Sequence, residues 1–479
     1  MSPYRSYTSI QSDLKAGIIT CRLLVEQYLA RIRENQHLNV FTEVYADESL
    51  TQADIIDQKL ASGTAGRLGG MVIGLKDVLS YAGHSVRAGS KILDTFTAQY
   101  TATAVQRLLE EDVIIIGRQN CDEFAMGSSN ENSSFGPVRN AADTSRVPGG
   151  SSGGSAVAVQ AGLCLASIGS DTGGSVRQPA AFCGVVGLKP TYGRISRWGL
   201  IAYASSFDCI GPIANTVDDA ALLLEIMAGP DEFDSTVSSQ SVAVYSKSML
   251  PDTPLRIAYL QDGVASEGVD KSIREATQRK IDALKAAGHV VEPVDISLLD
   301  YLLPTYYILT TAEASSNLSR FDGVRYGYRS KPSNDTPVMD LLSLYKKSRT
   351  EGFGKEVRRR ILLGTFVLSA SYYDAYYTKA QQVRRLIRDE AERLFEQYDF
   401  LLSPTTPTTA FLLGEKTDDP LQMYLADIFT VQANVIGYPA LSIPNGTDSN
   451  GLPIGLQLMA PAFAEGKLVA MAKLLQQLS

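Results

Sequence analysis

Histidine is scarce in this chain: His37, His84 and His289 are the three in 479 residues. None is near the serine-rich segments described below, and His289 opens an apolar strand behind a helix, where a structural role is expected. A Ser-His-Asp relay therefore has little support. The five cysteines (Cys21, Cys121, Cys164, Cys183 and Cys209) make an odd total with no CxxC pair and stand mostly among apolar or small residues. That pattern predicts buried, reduced thiols rather than a disulfide framework, and no metal site is expected. An excess of basic charge is missing too. With 44 Lys and Arg against 52 Asp and Glu the formal charge is −8, which argues against unaided gripping of nucleic acid, because phosphate contact needs clustered cations. No apolar run approaches the roughly 20 residues of a membrane-spanning helix, and residues 1–17 lack the charged-then-apolar pattern of a secretory signal. The expected setting is the cytoplasm or an equivalent reducing compartment. Composition shifts little along the chain and no Pro/Ser-rich linker divides it, so residues 1–479 are expected to form one domain.

What the sequence does have is a pair of glycine-serine loops, PGGSSGGS at 148–155 and GSDTGGS at 169–175, with eight glycines between positions 149 and 174. Glycine at that density costs conformational entropy unless the backbone needs close approach or unusual dihedrals. A lone Gly/Ser patch reads as a flexible surface loop. Two patches bracketing a small-residue segment, 156–167, that reads as a helix and a short strand point instead to a site.

The surrounding pattern is α/β. Residues 20–35 read as an amphipathic helix capped by Thr20, with Leu23, Leu24, Tyr28, Leu29 and Ile32 at helical spacing. Residues 71–75 form a short apolar run of strand type with Lys76 at its end. A helix over 101–112 and a second buried strand over 113–116 complete a unit that favours parallel pairing. A polar stretch, 117–147, leads into the first serine loop. Residues 176–184 read as a helix, which puts Ser175 at a helix N-terminus where unpaired N–H groups point outward. Further on, 216–227 is helical, 255–260, 271–287 and 290–294 read as strand, helix and strand, and 358–394 is a long helical region rich in Tyr and Arg. The apolar run FLL at 400–402 ends in Ser403-Pro404.

Several short motifs can be set aside. SDLK at 12–15 fits S-x-x-K, but a pattern with two free positions arises by chance. GSSGG at 150–154 fits the G-x-S-x-G elbow with Ser152 as nucleophile, yet no buried strand precedes it. Asp171 opens a D-T-G sequence of which only one copy exists, whereas an aspartic dyad needs two. Neither loop continues into the Lys-Ser or Lys-Thr of a phosphate cradle. A serine nucleophile without histidine needs another base, and a desolvated lysine can serve. Lys76 is placed for that, although on spacing alone a solvated lysine at a strand end remains open.

The sequences GLKD at 74–77, PGGSSGGS at 148–155 and GSDTGGSVRQP at 169–179 resemble those of the amidase signature family, and the likeness continues through AFCG at 181–184, GLKPT at 187–191 and GRIS at 193–196. The resemblance implies an α/β fold with a large mixed β-sheet covered by helices on both faces. It also implies a Ser-cisSer-Lys triad of Ser175 as nucleophile, Ser151 as proton relay on a cis peptide and Lys76 as base. Backbone amides of Thr172, Gly173, Gly174 and Ser175 would hold the oxyanion, with glycines leaving room for substrate. Within the family, DEFAMGSS at 122–129, RYGY at 325–328, EGFG at 351–354, RRI at 359–361 and DDPL at 418–421 make the chain most similar to the glutamine-hydrolysing A subunits of tRNA-dependent amidotransferases. By that likeness Arg360 and Asp427 would bind the α-carboxylate and α-ammonium of glutamine, with Tyr306, or its neighbour Tyr307, as a third contact. No cofactor is implied in this chain. A B subunit would use ATP and Mg to activate Glu-tRNA(Gln) and bind the tRNA, and a small C subunit would complete a heterotrimer. The alternatives are a stand-alone amidase acting on another small amide and a non-catalytic scaffold; the intact triad speaks against the second.

Overall fold

Val72–Lys76 and Ile114–Gln119 are buried along their whole length in the computed structural model, which describes residues 4–332, 340–416 and 420–478. Strands buried on both faces read as continuous apolar runs, and that is how these two were recognised. They belong to one sheet of eleven strands. In chain order these are β1 (Phe41–Val44), β2 (Val72–Lys76), β3 (Ile114–Gln119), β4 (Ala166–Asp171), β5 (Val186–Lys189), β6 (Cys209–Ala214), β7 (Arg256–Leu260), β8 (Val290–Val294), β9 (Phe400–Pro404), β10 (Ala440–Thr447) and β11 (Pro453–Met459). Their spatial order is β1-β3-β2-β4-β6-β5-β10-β11-β9-β7-β8. Pairings β2–β3, β2–β4, β7–β8 and β7–β9 are parallel. The other six are antiparallel, so the sheet is mixed. Helices cover both faces, which is why central strands such as β4 and β6 have no exposed side. One hydrophobic cluster runs through the molecule from Tyr7 to Leu475.

The helix read at 20–35 is Cys21–Glu34, and Thr20 Oγ1 accepts from the Leu23 amide at 3.1 Å, the expected cap. The helix Thr103–Glu110 joins β2 to β3 in the predicted parallel unit. β3, however, extends three residues beyond the apolar run. Gly117, Arg118 and Gln119 read as the start of a polar loop, but Arg118 donates to the Leu79 carbonyl at 2.9 Å and Gln119 to Ser167 Oγ at 2.8 Å, which pairs part of each buried side chain, while Arg118 Nη2 and Gln119 Oε1 make no hydrogen bond. The helix expected from 156 begins at Gly153 and ends at Gln160, and β4 then runs to Asp171, into the second glycine loop. The region 358–394 is two helices, Lys355–Val367 and Lys379–Phe395, with a π-helical turn at Asp374–Thr378. All five cysteines are free and buried. Positions 418 and 419, which open one of the subfamily motifs, lie outside the described residues.

Two features of this arrangement place the site. β2 and β4 are parallel neighbours with Leu75 opposite Ile168, so their carboxyl ends, Lys76 and Gly169 to Asp171, lie side by side. The helix Gly153–Gln160 then packs on β4 and returns the first serine loop to the same place. Among the described residues no helix is long and apolar enough to cross a membrane.

Candidate active site

Lys76 ends β2 fully buried, and its ammonium has hydroxyls rather than a carboxylate in hydrogen-bond contact. Nζ lies 2.7 Å from Ser151 Oγ, 2.9 Å from Ser170 Oγ and 3.4 Å from the Ser170 carbonyl. Burial lowers Lys76 from the ordinary lysine value to about 8, against the opposing pull of the Cys121 thiol, Asp122, Asp171 and Asp208. A lysine so placed can be neutral in an appreciable fraction of molecules and can accept a proton through Ser151. The Gly150–Ser151 peptide is cis, as the resemblance implied. The Ser152 amide donates to the Ser175 carbonyl at 3.1 Å, so the two serine loops meet beside Ser151 and Ser175. Ser175 is slightly exposed, at 8%, whereas Ser151 and Lys76 are at 0%. Of the three, it is the one a substrate can reach.

The second loop is fixed from below by a buried ion pair. Arg177 Nε and Nη2 donate to Asp171 Oδ2 and Oδ1 at 3.0 and 2.9 Å. Arg177 also reaches the Thr430 carbonyl at 2.8 Å, Gln457 Oε1 at 2.6 Å and Asn434 Oδ1 at 2.7 Å. Burial alone would raise Asp171, but the Arg177 guanidinium, with Lys189 and Asn434, overrides it and holds the carboxyl at about 2. Asp171 in turn accepts from the Gly174 amide at 2.9 Å. Of the amides the resemblance implied for the oxyanion, the Gly174 N–H is thus already engaged by a carboxylate. The glycines also have a more local cause than room for substrate. A Cβ on Gly173 would overlap Tyr306 Oη, and Gly174, at φ +129°, would drive one into Thr430.

Tyr306 is thus packed on the loop itself, in the helix Leu299–Asn317, while Tyr307 stacks on Tyr424 at 3.9 Å between ring centres and lies under the Arg360 guanidinium. Arg360, on the helix Lys355–Val367, is buried rather than solvated: its guanidinium carbon sits 5.5, 5.4 and 5.7 Å from the rings of Tyr203, Tyr307 and Tyr424. Its Nε donates to Glu356 at 2.8 Å and Nη1 to Tyr203 Oη at 2.7 Å. Asp427 is equally buried and accepts from Ser128 Oγ at 2.5 Å. Burial pushes its carboxyl up to about 7, only partly offset by Ser128 and Arg360. Such a group gains most from a cationic partner. A recess lined by Gly127, Ser129, Glu356, Arg359, Arg360 and Tyr424 opens next to this pair.

The sequence reading missed Ser170, Tyr203, Asp208, Glu356 and Ser128. Ser128 and Ser170 lay inside quoted motifs and Glu356 stands four residues before Arg360, at the spacing of a helical ion pair. Tyr203 had no local signal, since only the folded chain brings it to Arg360. Asp208 accepts from Thr172 Oγ1 at 2.7 Å and from the Tyr203 amide at 3.0 Å, so it ties the loop to that tyrosine. The rejected motifs stay rejected. Ser12 and Lys15 are exposed on a terminal helix, Ser152 is buried with Oγ 3.1 Å from the Ser170 carbonyl, and His289 Nδ1 accepts from the Leu255 amide at 3.2 Å beside the edge strand β8. No group of three or more His, Cys, Asp or Glu among the described residues has the arrangement of a metal site.

The sequence matches the family described as Amidase over residues 23–469. It is 51% identical over 479 residues to the A subunit of the glutamyl-tRNA(Gln) amidotransferase of Chlorobium luteolum, covering 99% of this chain and 97% of that one. The crystal structure of the corresponding A subunit of the Thermotoga maritima glutamyl-tRNA(Gln) amidotransferase superposes with a TM-score of 0.76 at 39% identity, covering 94% of this chain and 90% of that one. The native peptide amidase of Stenotrophomonas maltophilia is also similar, with a TM-score of 0.80 at 31% identity and coverage of 98% and 95%.

Proposed function

The chain belongs to the amidase family, and on that premise we propose that it is the glutamine-hydrolysing A subunit of a tRNA-dependent amidotransferase, releasing ammonia for the conversion of Glu-tRNA(Gln) to Gln-tRNA(Gln). The observation that carries the reading is the 2.7 Å contact between the fully buried Lys76 Nζ and Ser151 Oγ, with Ser175 at the reachable edge of the site. Neutral Lys76 takes the Ser151 proton as Ser151 takes that of Ser175, and Ser175 Oγ attacks the side-chain carbonyl carbon of glutamine. The amides of Thr172, Gly173 and Ser175 receive the oxyanion. As the C–N bond breaks, the proton returns through Ser151 to the leaving nitrogen, and ammonia departs. Water, deprotonated by the same relay, then cleaves the γ-glutamyl ester on Ser175 to give glutamate and restore the enzyme.

Arg360 takes the α-carboxylate of glutamine, Asp427 the α-ammonium, and Tyr306 bounds the site over Gly173. These buried charged side chains favour the reading over a stand-alone amidase, because an amide without α-substituents would leave Asp427 with no cationic ligand and Arg360 with Glu356 as its only carboxylate. The whole of residues 1–479 serves as one catalytic domain. Ammonia passes to a B subunit, which activates the glutamyl-tRNA with ATP and Mg and carries most of the tRNA contact, in keeping with a charge of −8 on this chain. A small C subunit completes the heterotrimer. Five free, buried thiols fit a reducing compartment, and the cytoplasm is the location we propose. The test is ammonia release from glutamine by the chain alone and with its candidate partner subunits, combined with trapping of the acyl-enzyme. A γ-glutamyl ester on Ser175 is expected; an acyl group on any other residue overturns the mechanism.

A further inference from the structure

The segment 122–130 is an unusual piece of backbone. Phe124 and Ala125, both buried, have φ of +51° and +58°, and Asn130 has +60°. Residues with a Cβ adopt that left-handed conformation rarely, and it persists in a buried segment where the surroundings over-determine it. The surroundings here are the site. The Asp122 amide donates to the Ser151 carbonyl at 3.2 Å, and its carboxylate accepts from the amides of Asn130 and Asn132 at 2.9 and 3.0 Å. At the other end, Ser128 donates to Asp427. Between them Glu123, 4% exposed, turns the opposite way: Oε2 accepts from the Gly354 amide at 2.8 Å, and Oε1 accepts from the Ser90 hydroxyl.

Gly354 is the residue that caps the Arg360 helix, Lys355–Val367. It lies so close to the carboxylate that a Cβ on it would overlap Glu123 Oε2. The next ring along, Phe124, packs against Phe353 and Phe321 at 5.6 and 5.1 Å between centres. The turn that holds Asp427 through Ser128 therefore also grips the first residues of the helix that carries Arg360. A carboxylate at a helix N-terminus satisfies an otherwise unpaired N–H and faces the positive end of the helix dipole.

We propose that Glu123 is a positioning residue for substrate selection, capping the Arg360 helix from the turn that carries Ser128 and so fixing the separation of Arg360 and Asp427 to match the α-carboxylate and α-ammonium of glutamine. The proposal rests on the clamp assigned to Arg360 and Asp427 above. Glu123 touches neither the reacting loop nor the substrate, so its loss bears on binding and spares the chemical step.

Steady-state glutaminase kinetics of the full chain with its partner subunits test this in Glu123→Ala, Glu123→Gln and Arg360→Ala. Glu123→Ala is expected to raise the KM for glutamine about tenfold with kcat at saturation held within about threefold. Glu123→Gln, whose side-chain carbonyl still accepts from Gly354 while its NH2 faces Ser90, is expected to restore KM to within about threefold of the parent. An unchanged KM in Glu123→Ala, a fall in kcat at constant KM, or a Glu123→Gln variant as impaired as Glu123→Ala overturns the proposal. If Arg360→Ala leaves KM unchanged, the clamp itself is wrong; if it raises KM while Glu123→Ala does not, the positioning role alone fails. Should Glu123→Ala not fold, Ser90→Ala removes one of the two donors to the carboxylate, and glutamine binding by calorimetry in a Ser175→Ala background decides: weaker binding supports the role and unchanged binding overturns it.

Discussion

Lys76 Nζ lies 2.9 Å from Ser170 Oγ, nearly as close as its 2.7 Å contact with Ser151. The second hydroxyl comes from the strand next to the one Lys76 ends, so it gives the amine a hydrogen-bond partner besides Ser151. Ser170→Ala should lower kcat for glutamine about tenfold, the loss expected when one hydrogen bond to a catalytic group goes, with KM little changed. A kcat equal to that of the parent would show that Ser151 alone orients the amine.

Ser175→Ala should abolish ammonia release while circular dichroism and thermal melting stay near those of the parent, because the change removes one hydroxyl at a partly exposed position. Lys76→Ala should be equally damaging, and Ser151→Ala nearly so, each by at least ~10³-fold. Residues on one proton path act as a unit, so the double variant Lys76→Ala/Ser151→Ala should be no worse than Lys76→Ala. Multiplying losses in that double variant would mean separate roles.

Removing either charge of the clamp should raise the KM for glutamine by at least about 100-fold, since the partner charge is left buried and unpaired. Hydrolysis of butyramide, which has the same carbon chain without α-substituents, should be spared. Unchanged glutamine kinetics in both Arg360→Ala and Asp427→Ala would return the chain to the general amidases.

The pH profile should separate the two buried groups. Lys76, lowered to about 8, must be neutral to accept a proton, so kcat should rise about tenfold per pH unit below that value and level off above it. Asp427, raised to about 7, must be ionised to hold the ammonium, so the KM for glutamine should climb as pH falls below 7. Asp427→Asn should remove the limb in KM and leave the limb in kcat. A KM limb that survives the substitution belongs to another group.

Arg177→Ala should destabilise the fold by about 3–5 kcal/mol, because it strands the Asp171 carboxylate in a dry interior. Asp171 is held at about 2, below the ordinary aspartate value of 3.8, so its share of the stability is present above pH 3.8 and is lost as pH falls through 2. Urea unfolding of the parent and of Arg177→Ala from pH 7 down to about pH 2 checks both the size and the sign. A loss below about 1 kcal/mol would show that the site relaxes around the missing side chain.

How legible this was in the sequence depended on distance along the chain. β2, β3, β7 and β8 announced themselves by apolar runs, and the serine loops by composition. β5, β6, β10 and β11 were not read, because their glycines, prolines and short lengths resemble loops until the sheet pairs them. Lys76 could be placed at a strand end from local pattern alone. Its partner Ser170 is 94 residues away, and the tyrosine that holds Arg360 is 157 residues away, so neither contact leaves a spacing to find. The second serine loop was read as beginning at Gly169, whereas β4 runs on through Asp171, and that Asp171 claims the Gly174 amide depends on a side-chain rotation no residue pattern encodes.

The partners of Arg177 set a schedule for the ribosome. Thr430, Asn434 and Gln457 lie 253, 257 and 280 residues downstream of it. At the usual pace of synthesis, ~5–20 residues per second, the nucleophile loop leaves the ribosome on the order of 10–60 s before the groups that complete its anchor. Until then Asp171 and Arg177 have only each other, the amides of Gly174 and Val176, and water. A nascent chain therefore carries all three members of its proton relay long before they can be locked in register, and a message truncated near codon 430 yields a protein with the serines and lysine in place and no settled loop to hold them.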